Sequence, residues 1–451
     1  MRTRWLVMGM ASFFFGCDGA SDGVEVAPLG MNAGRGKVPG MAECRTGEMD
    51  RTFGGAGTGI ARLSITPDDA GGFFAMERDQ DGIVAAGHGI GGLGGSTFKV
   101  ARLRPGGRPD PSFADGHVVK TYWGASTANY AFARGVGRQS DGKIVAIGWF
   151  EKGPQQDVAL ARYDVGGALD TTFGGDGQPL VDLGGAEVIE AGLVADDDSI
   201  VAAGRRNDHL LVVRFGPDGA LDPSFGGGTG HFTAEIGDWS TASSVLIDTS
   251  GRIVVAGTTK ESGQSDVLVL RLTPAGELDA SFGNSGIEVT RDLSGNERAV
   301  GIARTVDGGI LLGGDVEPAE AGSDPRDFLV RRYHADGRPD VTFGTAGFAA
   351  ATITDGSDEA EGITLAAGGD ILVVGNASGG SANGPVVARY TPVGELHPAF
   401  GTGGVLPLDL GEYGVAHTIV ASPGRKALIG GGDEGASPGP GTYAVIARLC
   451  L

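Results

Sequence analysis

The chain has 451 residues, of which 84 are glycine, 21 proline and 41% hydrophobic. So much glycine excludes a helix-rich fold, because each interior helical glycine costs about 1 kcal/mol relative to alanine; the lack of a three-residue period excludes collagen, leaving many short strands and turns. A formal net charge of −21 makes generic attraction to nucleic-acid phosphates or an anionic membrane surface unfavourable, so no nucleic-acid partner is expected.

In chain order, Arg2 and Arg4 precede an uncharged run from Trp5 to Phe15, followed by Gly16 and Cys17. This is the pattern of an export signal, too short to span a bilayer. Phe14-Phe15-Gly16-Cys17 resembles a bacterial lipobox, which makes Cys17 the expected lipid-bearing first residue of the mature chain. The expected organisation is a signal over residues 1–16, a flexible tether over 17–43 and a repeat body over 44–451. That places the protein outside the cytoplasm in a bacterial cell envelope, lipid-anchored and facing the periplasm or the surface, with secretion as the alternative. The lipid anchor is the only membrane contact expected.

The body repeats one phrase. It occurs as Leu169-Asp170-Thr171-Thr172-Phe173-Gly174, Leu221-Asp222-Pro223-Ser224-Phe225-Gly226 and Leu278-Asp279-Ala280-Ser281-Phe282-Gly283, with variants at Asp50 to Phe53, Asp110 to Phe113, Asp340 to Phe343 and His397 to Phe400. The phenylalanine spacings are 60, 60, 52, 57, 61 and 57. One unit reads as four strands, over 117–123, 131–137, 143–148 and 158–163, the third opening after the hairpin signal Asp141-Gly142. Seven such units predict an all-β chain, a seven-bladed β-propeller of four-stranded antiparallel blades.

The last strand of each unit carries an arginine, and the acidic position of the phrase follows eight residues later. The pairs are Arg102 with Asp110, Arg162 with Asp170, Arg214 with Asp222, Arg271 with Asp279 and Arg332 with Asp340; Arg448 meets Asp50 across the ring seam, and after Arg389 the position holds His397. Near-equal copies suit a structural clamp, not a reaction, which needs one arrangement. The Leu-Asp-x-x-Phe-Gly phrase, the period near sixty and the Asp141 to Gly148 run resemble the bacterial delta-60 repeat family, a propeller-like family without an assigned general activity. That resemblance brings no catalytic residues.

With Cys17 lipidated, Cys44 and Cys450 remain, in a setting where disulfides persist. Cys450 lies two residues after Arg448 and Cys44 six before Asp50, so both fall in one column of the repeat. A Cys44–Cys450 disulfide sealing the ring is expected, since complete blades at both ends leave no exchanged strand to hold it.

Strand parity sends the repetitive Asp-Gly and Leu-Asp-x-x-Phe-Gly turns to one face and the irregular loops to the other. The irregular face concentrates acids: Asp182, Glu187 and Glu190; Glu235 and Asp238; Asp292 and Glu297; Asp355, Asp358, Glu359 and Glu361; Asp409 and Glu412. They read as a solvated rim or as a face for a cation or cationic ligand. Trp123, Trp149 and Trp239 are candidates for sugar stacking. The seven histidines show no close metal-ligand spacing, so neither metal nor cofactor is expected, and no nucleophile elbow, Walker loop or dinucleotide fingerprint stands out. The expected function is non-enzymatic binding of an envelope or extracellular protein or glycan by a monomer. The alternatives are a hydrolase or lyase acting on polysaccharide, and a purely structural or adhesion module.

Overall fold

The computed structural model describes residues 44–64, 70–90, 95–124, 129–317, 325–379, 383–433 and 443–451. The expected signal, Cys17 and the tether lie outside them.

The described residues form 28 strands. β1 (Ile60–Ser64) stands apart in sequence from those that follow. Next come β2 (Ala70–Arg78), β3 (Ile83–Ile90), β4 (Ser96–Leu103) and β5 (Val119–Thr121), then β6 (Asn129–Arg138), β7 (Ile144–Lys152), β8 (Gln155–Tyr163) and β9 (Leu180–Val181). β10 (Glu187–Val194), β11 (Ile200–Arg206), β12 (His209–Phe215) and β13 (His231–Ala234) precede β14 (Trp239–Ile247), β15 (Ile253–Glu261), β16 (Gln264–Leu272) and β17 (Ile287–Thr290). The chain continues through β18 (Asn296–Arg304), β19 (Ile310–Glu317), β20 (Asp327–Tyr333) and β21 (Phe348–Ala351), then β22 (Asp358–Leu365), β23 (Ile371–Ala377), β24 (Gly384–Tyr390) and β25 (Val405–Pro407). It ends with β26 (Gly414–Ser422), β27 (Lys426–Asp433) and β28 (Tyr443–Cys450).

Pairing within each run is antiparallel, neighbour to neighbour, and the fold is all-β and propeller-like. Hydrogen bonding leaves three separate four-stranded sheets. The other strands merge into two eight-stranded sheets, where Gly135 of β6 meets Gly192 of β10 and where Gly71 and Gly72 of β2 meet Asp433 and Gly432 of β27. Alternating strand faces stack between neighbouring sheets, and the apolar core consists of the clusters in those interfaces.

Two expectations are corrected. The strand expected over 117–123 as the first of its unit is β5, which pairs with β4 of the unit before. The phrase between them folds as an antiparallel return, bridged at Leu103 and Pro109, so hydrogen bonding holds β5 to the preceding sheet. The ends of the chain do share a strand: β1 pairs with β28 from Ile60↔Ala447 to Ser64↔Tyr443 and completes a sheet with β26 and β27. Shifting the unit by one strand leaves the two faces as expected. The Cys44–Cys450 disulfide is present, with 5.6 Å between the Cα atoms, and beside it Asp50 N–H donates to Arg448 and Cys450 N–H to Glu48. A disulfide suits an oxidising, exported environment. No helix among the described residues is long and apolar enough to cross a membrane.

Candidate functional site: the central cavity and its rim

The repeated arginine makes one rivet, copied around the molecule. Arg271 Nε donates to Asp279 at 2.8 Å, its Nη2 to Ser281 and its Nη1 to the Ala335 carbonyl at 2.7 Å, in the corresponding turn of the following unit. Its guanidinium lies 4.6 Å from the centroid of the buried Phe282 ring. Arg102, Arg162, Arg214 and Arg332 make the same ion pair at 2.6–2.9 Å and the same reach into the next unit. Arg448 does so across the chain ends, to Asp50 at 2.8 Å and to the Pro105 carbonyl. Burial alone would push the Asp50 carboxyl up, but bonds from Lys426 and Thr52 and the Arg448 charge hold it far below the usual carboxylate range. Where His397 replaces the acid, Arg389 turns to Asp370 instead. Each phenylalanine packs under the next unit: at Gly337, with φ +86°, a Cβ would fall 2.7 Å from the Phe282 ring.

The chemically variable positions lie in the first strand of each run. β2, β6, β10, β14, β18, β22 and β26 each carry a bulge at one register, leaving Phe74, Arg134, Glu190, Ser243, Val300, Glu361 and His417 unpaired in the ladder. Bulges re-aim side chains, and these seven residues line one cavity of about 820 Å³. The neighbouring strand supplies a glycine opposite each bulge. A Cβ at Gly148 would fall 1.9 Å from the Phe132 carbonyl oxygen. Sequence reasoning missed this ring, although each member stands 13 or 14 residues before the glycine that ends the Ile-Val-Ala-x-Gly type of run, as Arg134 does before Gly148.

The cavity has two chemically distinct sides. On one, Phe74 is stacked between His417, with centroids 3.9 Å apart, and His88, at 4.3 Å. The Arg134 guanidinium lies 4.6 Å from the Phe74 centroid and 3.6 Å from Glu190. Burial, reinforced by the Arg134 charge, pushes His88 well below its usual value, which keeps that imidazole neutral. On the other side Arg298 donates to Asp315 at 2.6 Å and to the Ala360 carbonyl, and lies 3.9 Å from Glu361; Arg326 approaches Asp315 to 3.3 Å. Burial raises Glu361 and Asp315 despite the Arg298 charge.

The acids expected on the irregular face separate into three populations. Asp182, Glu235, Asp238, Asp292, Asp355, Glu359, Asp409 and Glu412 are exposed, whereas Glu190 and Glu361 are half-buried and line the cavity. Glu187, Glu297 and Asp358 are corrected from the displayed face to the interior, each no more than 2% exposed, with Glu297 in the cavity wall. They open the first strands of their runs, where the incoming link turns against the preceding sheet: Asp358 accepts from the Ile353 and Thr354 amides and the Thr354 hydroxyl, and Glu297 from Arg331. Among the tryptophans, Trp123 is buried edge-on to Phe98 with its indole donating to Gln178, Trp149 stacks on Phe132, and Trp239 lines the cavity.

Residues 80–113, 139–173, 195–225, 249–282 and 307–343 match the family described as a domain of unknown function (DUF5122), beta-propeller. The five segments are thus similar to the repeats of a β-propeller family. Each matched segment runs from the hairpin before the second strand of a sheet to the riveting phenylalanine, so the likeness covers the scaffold and omits the bulged strands of the cavity. No curated protein matches the chain. Similar solved structures include a protein of unknown function from Dyadobacter fermentans DSM 18053 (11% identity, 87% of this chain and 98% of that one, TM-score 0.47). Others are the polysaccharide lyase Uly1 (11%, 84% and 90%, 0.49) and the RRP9 WD40 repeats (9%, 86% and 97%, 0.49). Likenesses this distant carry no argument about activity.

Proposed function

We propose that the chain is an exported, lipid-anchored propeller of seven four-stranded blades, of the delta-60 type, that binds a glycan in its central cavity without transforming it. The observation that carries this is the ring of bulges: one scaffold position, repeated seven times, is occupied by seven side chains spanning aromatic, cationic, acidic, hydroxylic and aliphatic chemistry. A purely structural ring has no need of that diversity, and the rivet positions beside it keep theirs nearly uniform. A sugar offers an apolar face for Trp239 and hydroxyls for Arg134, Glu190, Arg298 and Glu361, which suits a site lined by few convergent polar groups. The anchor at Cys17 and the tether over 17–43 hold the cavity at the envelope, and the exposed acids around it favour amine-bearing sugars over acidic ones.

The test is glycan-array binding by wild-type protein, Trp239→Ala and Glu361→Gln. At least tenfold weaker binding by both variants supports the reading; binding unchanged by either overturns it. A second reading, glycan cleavage, is favoured by Glu361, a cavity carboxyl raised by burial beside an arginine. Release of reducing ends or unsaturated products from a bound glycan, abolished in Glu361→Gln, would replace binding by catalysis.

A further inference from the structure

A second site lies away from the cavity, at the seam between the β6–β9 and β10–β13 halves of one eight-stranded sheet. Asp157 comes from β8, Asp182 from the link after β9, and Glu187 from the first turn into β10. One carboxylate oxygen of each lies within 4.8 Å of the others. Glu187 is fully buried; its Oε2 accepts the Leu183 amide at 3.3 Å, while its Oε1 has no hydrogen-bond donor. Asp157 Oδ1 is likewise sealed from solvent without a donor. The nearest cation, Arg206, has its Nε 3.6 Å from Glu187 Oε1, and that Nε too is buried and makes no hydrogen bond. A buried carboxylate oxygen without a hydrogen-bond donor is costly, and this seam holds two, Glu187 Oε1 and Asp157 Oδ1.

The repeat supplies its own control. Asp266, Asp292 and Glu297 occupy the same three columns at the seam between β14–β17 and β18–β21: Asp157 and Asp266 stand five residues before Arg162 and Arg271, and Asp182 and Asp292 stand five before Glu187 and Glu297. There a guanidinium fills the seam. Arg331, 2% exposed, bonds Asp292 through Nη1 at 3.1 Å and Glu297 through Nε at 3.1 Å, and Arg291 lies 3.5 Å from Asp266. The residue in the Arg331 column at the first seam is Val213, buried and apolar. The same happens to other clustered acids: Asp79 and Asp81 meet Arg138.

We propose that Asp157, Asp182 and Glu187 bind a divalent cation of the calcium class, which supplies at this seam the charge that Arg331 supplies at its counterpart. Three carboxylates drawn from a hairpin, a link and a strand offer only hard oxygen ligands, with water and backbone carbonyls left to complete the six to eight that calcium takes. The ion ties the two halves of that sheet together at the face of the irregular loops, so its binding is linked to stability.

The test is calcium titration of the EDTA-stripped, disulfide-intact full chain by calorimetry, with terbium luminescence as a second readout. Wild type is expected to bind one ion with a Kd on the order of 10⁻⁴–10⁻³ M, the range of extracellular modules. At a free concentration about thirty times the Kd, the thermal midpoint rises by roughly 2 °C. Asp182→Asn, at an exposed link residue, loses at least tenfold in affinity, and Asp157→Asn does the same. Asp238→Asn, which removes an exposed acid from another link, leaves the affinity unchanged. Absence of saturable binding by wild type overturns the site. Equal losses in Asp182→Asn and Asp238→Asn also overturn it, since they reduce binding to attraction by the acidic surface as a whole.

Discussion

Cutting the Cys44–Cys450 bond tests how the molecule is closed. The cysteines are 406 residues apart, so in the chain-entropy account the cross-link constrains the unfolded chain by about 6 kcal/mol. The native contacts around it survive removal of the sulfurs: β1 still pairs with β28, Asp50 still meets Arg448 and Lys426, and Met49 still bridges Leu449. The variant Cys44→Ser/Cys450→Ser is therefore expected to fold and to lose stability through its unfolded state. A body of about 400 residues unfolds with an entropy of about 0.85 kcal/mol/K, so 6 kcal/mol corresponds to a fall in midpoint of about 7 °C. Calorimetry of the wild-type protein, oxidised and reduced, and of the double variant measures it, and hydrogen exchange across β1 and β28 shows whether the seam becomes the first region to open. A fall of less than about 1 °C, with unchanged exchange at the seam, would refute the reasoning and leave strand exchange as the sole closure.

Other expectations follow from the rivets and the bulges. Asp50, Asp110, Asp170, Asp222, Asp279 and Asp340 are all held below their usual values. Their folded-state pKa values lie below the unfolded ones, so their stabilisation is complete above about pH 4–5 and drains as pH falls through the folded values; thermal midpoints measured from pH 6 to pH 2 should drop steeply below about pH 4, and a flat profile would remove the rivets as stabilisers. Arg271→Ala strips a nearly buried ion pair, the ring contact with Phe282 and the bond to Ala335. It should cost about 3–5 kcal/mol in urea unfolding, whereas Arg271→Lys keeps the charge, loses the fork and falls between. Gly148→Ala puts a methyl group 1.9 Å from the Phe132 oxygen and should cost more than about 3 kcal/mol, unless the bulge at Arg134 flattens, which would also change binding in the cavity.

What the amino-acid order determined by itself is whatever recurs within reach of one hairpin. The Arg-to-Asp interval of eight residues spans a single antiparallel return, and the Asp-Gly turns and the buried phenylalanine belong to the same local unit, so the all-β class, the clamp and the cysteine column were legible from Arg102, Asp110, Cys44 and Cys450. The ownership of a strand was not: β5 is separated from both neighbours by loops, and only its pairing with β4, from Phe98↔Thr121 to Val100↔Val119, assigns it to the sheet behind it. For the same reason β1 could not be foreseen on β28, some 380 residues away. Exposure was also undecided by sequence, because Asp182 and Glu187 are five residues apart in one acidic run, yet one stays in water while the other is pressed against the preceding sheet. Tertiary packing alone brings Asp157 to that pair and sets Phe74, Arg134, Glu190, Ser243, Val300, Glu361 and His417 around one cavity. Neighbours in these sites come from different repeats, and no periodicity along the chain encodes which chemistry faces which across the axis.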